Sequence, residues 1–187
     1  MHKSDITLRN ISKIEGHADL DVIIRKNKAK DVKLKITENK RFYTQAIRGK
    51  NVVGLPQHVS RICGTCSIAH LLCSIEAIEK TLGIKPSLQT RILRKLSMYG
   101  LMIRDHALHL YVFTLPDLLG KDSILELNKT NHNLIHDCFK VKAVGNHLSV
   151  LVAGRSVHPP YPQIGGFNHF PDKKEIKDVI KELEEIR

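Results

Sequence analysis

The sequence lacks several features that would assign it to a common class of protein. It contains no tryptophan and only 5% aromatic residues, which argues against an aromatic surface for binding single-stranded nucleic acid. Four cysteines in 187 residues are too few for a disulfide framework. There is no apolar run long enough to span a membrane, and the first residues lack the apolar segment of a signal peptide. These absences predict a reduced, cytoplasmic protein.

Positive charge, by contrast, is in excess. The chain has 30 Lys and Arg residues against 19 Asp and Glu residues, a formal net charge of +11. Such an excess alone favours an anionic partner. Because the basic residues are spread along the chain and aromatic residues are scarce, we predict no nucleic-acid partner. The 42% of hydrophobic residues is sufficient for a folded core.

The first 50 residues have the pattern of a small antiparallel sheet. Residues 6–14 have weak extended character, and residues 18–25 are rich in Val and Ile. After a polar turn at 26–29, residues 31–37 alternate between apolar and polar side chains, which predicts a half-buried strand that completes a hairpin. The pattern of residues 41–48 is compatible with either a further strand or a short helix.

The remainder of the chain is predominantly helical by pattern. Apolar periodicity predicts helices at 67–82, 88–113, 123–151 and 173–187. Gly83 is expected to end the first of these helices, and Ser87 and Asp172 are expected to begin the second and fourth. Gly145 is expected to weaken or kink the third.

Two further features concern how these segments are used. Apolar residues occur around much of the second helix, which predicts burial on more than one side; they are Ile92, Leu93, Leu96, Tyr99, Met102 and Ile103. Glycines and prolines are concentrated at 154–170, which predicts an ordered or functional loop.

Cys63 and Cys66 form a Cys-x-x-Cys pair directly before the first long helix, with Gly64 allowing a tight turn between them. Such a pair has three ordinary interpretations: half of a zinc knuckle, a redox-active dithiol, or two ligands to a redox metal. Cys73 and Cys138 are isolated, and Cys73 is expected in the core. The spacing alone does not choose among the three.

The residues around this pair resemble the nickel–iron hydrogenase large subunit. The matching segments, in chain order, are Ile14-Glu15-Gly16-His17, Arg61-Ile62-Cys63-Gly64 with Cys66 and His70, residues 105–109, residues 154–159 and residues 165–167. Lys13 stands where the family has arginine, and Asp105 where it usually has serine. Residues 115–120 are similar to the cytoplasmic multimeric branch of the family.

The resemblance implies a role for each matching residue. It makes Cys63 a terminal nickel ligand, Cys66 a bridge between nickel and iron, and Glu15 the proton carrier beside the metal. His70 would hydrogen-bond toward a ligand sulfur. The residues that would shape the surrounding pocket are Arg61, Arg155 and His158.

Each of these residues also has a structural interpretation. Without the resemblance, Glu15 would be a solvated turn residue, His70 a satisfied helix histidine and His158 a structural loop residue. His106 and His109 lie three residues apart on one helix, but no carboxylate has suitable spacing, so we expect them to be buried structural histidines.

Two departures from the family limit what the resemblance implies. Thr44 stands where the family often has a glutamate that binds a structural magnesium or iron ion, so that ion is not predicted here. The family completes its metal site with a second Cys-x-x-Cys pair near the C-terminus, and no cysteine follows Phe167. The resemblance therefore covers about the first half of the family's length.

Taken together, the sequence predicts an α+β, mainly α fold with a small N-terminal antiparallel sheet and a bundle of long helices that has an exposed apolar face. The predicted regions are 1–50, 51–153 and 154–187. The predicted function is the N-terminal part of a nickel–iron hydrogenase large subunit, inactive as an isolated chain. Its cofactor would be a nickel–iron centre with carbon monoxide and cyanide on the iron. The alternative is a non-catalytic scaffold descended from such a protein.

The same resemblance implies two partners. One is a small subunit that carries the iron–sulfur clusters. The other is a C-terminal large-subunit part that carries the second Cys-x-x-Cys pair, supplied by a second chain or by a missing half.

Overall fold

A computed structural model describes residues 4–12, 14–38, 40–129 and 132–187. Lys13, where the resemblance departs from the family's arginine, lies outside the described residues. The chain divides into two compact units, Met1–Arg48 and Gly49–Arg187. The predicted fold class is confirmed, because a small antiparallel sheet precedes long helices.

The N-terminal unit contains a three-stranded antiparallel sheet in the order β1-β2-β3 and one helix. Its elements are β1 Ser4–Leu8, β2 Ala18–Arg25, β3 Lys28–Ile36 and α1 Lys40–Ile47. Lys26 and Asn27 form the hairpin turn with φ of 53° and 57°, the left-handed conformation that a tight two-residue hairpin requires. The segment 41–48, whose pattern fits a strand or a helix, is mostly helical.

The predicted alternation in β3 is confirmed, but the predicted half-burial is wrong. Cross-strand register pairs Val22 with Val32 and Leu20 with Leu34, so apolar side chains share one face of the sheet. Val32 is nevertheless 58% exposed and Leu34 is 64% exposed. Alternation determines which side chains share a face, and burial depends on a second layer that the strand itself does not encode.

The C-terminal unit is mostly helical. Its α-helices are α2 Leu55–Val59, α3 Ser67–Leu82, α4 Leu88–Leu108, α5 Leu115–Leu118, α6 His132–Ala153 and α7 Lys173–Glu185. Single 3₁₀ turns occupy Ser60–Ile62 and Ile124–Lys129, a π-helical turn occupies His109–Thr114, and a short hairpin joins β4 Pro162–Gln163 to β5 Gly166–Phe167.

The predicted helix signals are confirmed at three positions. Gly83 ends α3 with φ of 71°, where a side chain would be strained. The Ser87 hydroxyl accepts a hydrogen bond from the Thr90 N–H at the start of α4. Asp172 caps α7 in a reciprocal capping box with Glu175. The predicted 88–113 and 123–151 helices are each interrupted, the first by the π-helical turn and the second before His132.

The buried face of α4 differs from the one that its apolar residues predict. Ile92, Tyr99 and Met102 are 48%, 51% and 42% exposed, so α4 is not buried on more than one side. They belong to the exposed apolar face that the sequence predicts for the bundle. The buried positions of α4 instead carry small, cationic and a few apolar residues, which are Thr90, Leu93, Arg94, Ser97, Gly100, Leu101, Arg104 and Ala107.

Gly145 serves a different purpose from the one predicted. Helix α6 continues through it as a single helix, so the expected interruption is wrong. A Cβ atom on Gly145 would lie 2.7 Å from the Arg104 backbone nitrogen and 2.9 Å from the Gly100 carbonyl oxygen. Glycine is required here because α4 and α6 approach each other to backbone contact.

Gly145→Ala is therefore expected to lower the free energy of unfolding of the C-terminal unit. Alanine in a helix interior would ordinarily stabilise by about 1 kcal/mol relative to glycine, but overpacking a close contact costs about 1–3 kcal/mol or more. Urea denaturation measures the difference, with Gly166→Ala as the control because a Cβ there would meet nothing within 4 Å. A more stable Gly145→Ala variant would contradict the close crossing.

Candidate metal centre

Cys63 and Cys66 lie at the entrance to helix α3, where local structure brings their sulfurs together. Cys63 ends the 3₁₀ turn in an extended conformation, and Cys66 is the N-cap residue of α3. Their Sγ atoms lie within 4.8 Å of each other, both half-buried. The Cys66 N–H donates a hydrogen bond of 3.5 Å to the Cys63 sulfur. The two thiols can therefore ligate one metal ion.

The turn between the cysteines does not need glycine for its backbone. Gly64 does not have the positive φ found at Gly83 or Gly154, and a Cβ atom on it would meet nothing within 4 Å. The expectation that Gly64 permits the tight turn is therefore wrong for this structure. The chelating geometry comes from the change from the 3₁₀ turn to α3.

The surroundings of the thiols favour negative charge. The N-terminus of α3 directs unpaired backbone N–H groups and the positive end of the helix dipole toward this point. Arg104 of α4 is 4% exposed, and its guanidinium donates to the carbonyl oxygen of Thr65, between the two cysteines. Burial lowers the pKa of Arg104, whereas Asp105 and the two thiols raise it. A buried cation therefore faces the cysteine pair.

The Gly-Arg-x-x-His-Pro loop is fastened to this same region by three long-range hydrogen bonds. Arg104 Nη1 donates to the Ser156 carbonyl at 2.6 Å, and Gln57 Nε2 donates to the Pro159 carbonyl at 3.0 Å. The His158 N–H donates to the Ser67 hydroxyl at 2.9 Å, at the first residue of α3. These bonds bring residues 156–159 beside the cysteine segment.

His158 is the residue of this loop that is least satisfied by the chain. Its φ is 52°, a left-handed conformation that non-glycine residues rarely adopt. Its Nδ1 atom is buried without a hydrogen-bond partner among the described residues. A buried ring nitrogen without a partner is unusual and is suited to a group bound in the adjoining space.

The other predicted site residues are less enclosed. His70 is half-buried one turn after Cys66 on α3, whereas Arg61 and Arg155 are exposed. Glu15 belongs to the N-terminal unit, where it is exposed immediately before Gly16, whose φ is 95°.

Three expectations about burial near this region are wrong. His106 and His109 are exposed, because the buried face of α4 at this level is formed by Arg104 and Ala107. His109 also begins the π-helical turn, where its ring meets the edge of Phe113 at 5.8 Å between centroids. Cys73 is exposed rather than buried in the core.

Sequence reasoning missed the buried ion pair that braces the far end of the same loop. Arg94 forms two hydrogen bonds to Glu79, of 2.7 and 2.5 Å, and donates to the Gln163 carbonyl at 3.2 Å. The Gly165 N–H donates to Glu79 at 2.6 Å. The available signal was helical spacing, since Glu79 falls four residues after Ile75 on the buried stripe of α3.

The residues present fit a soft transition metal. Two thiolates are ligands suited to nickel and iron, and both a helix N-terminus and a buried guanidinium favour the thiolate form. The buried Nδ1 of His158 adds an unused polar group beside them. Cys63 and Cys66 would hold such a metal from one side.

Comparison with known proteins agrees with this chemistry. The family described as "Nickel-dependent hydrogenase" matches residues 41–156. The alpha subunit of sulfhydrogenase 2 from Pyrococcus furiosus is 33% identical over 176 residues, which cover 94% of this chain and 43% of that protein. The vhu F420-non-reducing hydrogenase of Methanocaldococcus jannaschii contains a chain that is 30% identical, with 97% and 45% covered.

Solved structures show the same fold. A NAD+-reducing NiFe-hydrogenase in the H2-reduced state superposes with a TM-score of 0.79 at 23% identity, over 98% of this chain and 42% of that one. The Ni-Fe-Se hydrogenase from D. vulgaris Hildenborough gives 0.74 at 25% identity, with 99% and 41% covered. The chain spans less than half the length of these relatives. It belongs to the nickel-dependent hydrogenase family and corresponds to the N-terminal part of the large subunit.

Proposed function

We propose that this chain supplies two of the cysteine ligands of a nickel–iron centre that catalyses the reversible oxidation of hydrogen. The observation that carries the proposal is the pair of half-buried sulfurs of Cys63 and Cys66 within 4.8 Å of each other at the N-terminus of α3. Both thiols and their anion-favouring surroundings are present, which favours a metal-binding role over that of a non-catalytic scaffold.

In this proposal the chain's own groups bind, orient and transfer protons. Cys63 is a terminal nickel ligand and Cys66 bridges nickel to iron. When bound, the nickel–iron centre supplies the redox chemistry that splits hydrogen heterolytically. Glu15 accepts the released proton and passes it to solvent, which its exposed carboxyl group can reach.

The surrounding residues tune this site. His158 offers its buried Nδ1 to a group bound beside the thiolates. His70, one turn after Cys66, orients a ligand sulfur through a hydrogen bond. Arg61 and Arg155 contribute positive charge at the edge of the pocket.

The complete activity requires more than these residues, because the chain covers 43% of its sulfhydrogenase relative. We propose that a further large-subunit part supplies a second Cys-x-x-Cys pair, and that the isolated chain is inactive without it. We place the carbon monoxide and cyanide ligands on the iron and the iron–sulfur clusters in a small subunit. We also place the assembly in the cytoplasm. Among the described residues, no helix is both long and apolar enough to cross a membrane.

Metal analysis tests this function. The chain should be co-expressed with the rest of the large subunit, with the small subunit, and with hydrogenase maturation factors, and the complex purified anaerobically. We expect nickel and iron in equal amounts and infrared bands from iron-bound cyanide and carbon monoxide. Metal-free protein would support the scaffold instead, and stoichiometric zinc alone would identify a zinc site.

A further inference from the structure

Arg104 occupies the point where three segments of the C-terminal unit meet. It lies on α4 where α6 approaches most closely, since a Cβ on Gly145 would be 2.7 Å from the Arg104 backbone nitrogen. With its side chain 4% exposed, the guanidinium cannot be solvated and must be satisfied within the protein.

The guanidinium uses its fork of donors on these three segments. Nη2 donates to the Thr65 carbonyl between the two cysteines, and Nη1 donates to the Ser156 carbonyl at 2.6 Å. A longer contact of 3.5 Å joins Nη1 to Oδ1 of Asn146 on α6. One side chain thus ties the cysteine segment to the loop after α6 and to α6 itself.

All three acceptors are neutral, so they satisfy the hydrogen bonds of Arg104 but not its charge. Arg104 forms no salt bridge within the described residues, whereas the buried Arg94 on the same helix has Glu79. The anionic groups near Arg104 are its neighbour Asp105 and the thiols of Cys63 and Cys66. Because a buried cation is costly without a counter-charge, the two thiolates complete the environment of Arg104.

We infer that Arg104 is the positioning residue of the metal site, holding the Thr65 carbonyl so that the Cys63 and Cys66 sulfurs stay in chelating geometry and balancing their negative charge. This inference rests on the proposed function. Lysine at this position would keep the charge but could not reach three acceptors with one ammonium group. Glutamine would lose both the charge and most of the bonds.

Titration of the reduced full chain with Ni2+ tests the inference, with binding followed by the thiolate-to-nickel charge-transfer absorption and by competition with a chelator. We expect R104Q to raise the Kd for Ni2+ by about 10–100-fold, the usual range for residues that orient metal ligands. R104K should restore part of this loss. R91Q, which changes an exposed arginine on the same helix, should bind like wild type.

A purely structural role predicts a different pattern. R94Q also removes a buried arginine from α4 and is the matched control for lost stability. It should lower the folded fraction without changing the Kd of the folded protein. An R104Q chain whose folded fraction binds Ni2+ with the wild-type Kd would overturn this inference alone. A wild-type chain with no charge-transfer absorption from Cys63 and Cys66 would overturn the proposed function as well.

Discussion

Replacing either Cys63 or Cys66 with serine is expected to abolish nickel binding by the chain. The two half-buried sulfurs lie within 4.8 Å of each other, so each variant leaves one thiolate and destroys the chelate. A serine hydroxyl does not replace it, because an alkoxide is not available at neutral pH and an oxygen ligand is harder than a thiolate. The Kd for Ni2+, measured by charge-transfer absorption, should rise beyond the measurable range in both variants.

The matched control is Cys73→Ser. Cys73 is an exposed thiol on the same helix, so its replacement tests whether binding is a general property of reactive cysteines. We expect this variant to bind Ni2+ like wild type. Equal loss of binding in the Cys73 variant, or retained binding in Cys63→Ser, would contradict the assignment of the ligands.

Breaking the Glu79–Arg94 pair should have the largest effect on stability. The side chains are 4% and 5% exposed, and removing one partner of such a pair leaves an unpaired buried charge at a cost of about 3–5 kcal/mol. Glu79→Gln should therefore lower the free energy of unfolding by about that amount. It should also loosen the hairpin, because the Gly165 N–H and the Gln163 carbonyl are held by this pair. Urea denaturation and limited proteolysis near residues 163–167 measure the two effects.

Two further variants separate the pair from the general loss of charge. Glu76→Gln removes an exposed carboxylate from the same helix and should change stability by less than about 0.5 kcal/mol. The double variant Glu79→Leu/Arg94→Met replaces the pair with apolar side chains and should recover much of the loss. Equal stability of wild type and Glu79→Gln would show that the pair contributes nothing.

The same pair makes stability sensitive to acid. Burial alone would raise the pKa of Glu79, but hydrogen bonds from Arg94 and the Gly165 N–H outweigh it, so the pKa lies below its usual value. The carboxylate therefore stabilises the fold above the ordinary glutamate pKa of about 4.3, and this stabilisation is lost as pH falls through the lowered value. Glu79→Gln should remove this part of the acid dependence.

The elements of the fold could be predicted where their signals are local. Helix α3 has the predicted bounds, 67–82, and Gly83 and Ser87 end and begin helices as predicted. The strand 18–25 likewise has its predicted bounds. These signals depend on side-chain periodicity and on capping groups that act within one turn of the chain.

The sequence by itself also determined the candidate metal ligands. Cys63 and Cys66 are three residues apart, so any turn into a helix keeps their sulfurs close. Their partners in the site could not be predicted in this way. Arg104 and His158 are separated from the cysteine segment by 39 and 91 residues in the hydrogen bonds that place them there.

Only the tertiary structure decided which faces are buried. The apolar residues of α4 predicted one buried surface, but Gly100 and Gly145 let α4 and α6 approach on another. Arg94 and Arg104 could be buried on that surface because each finds its acceptors on distant segments. Burial depends on what packs against a residue, and a hydrophobic pattern records only which residues could be covered.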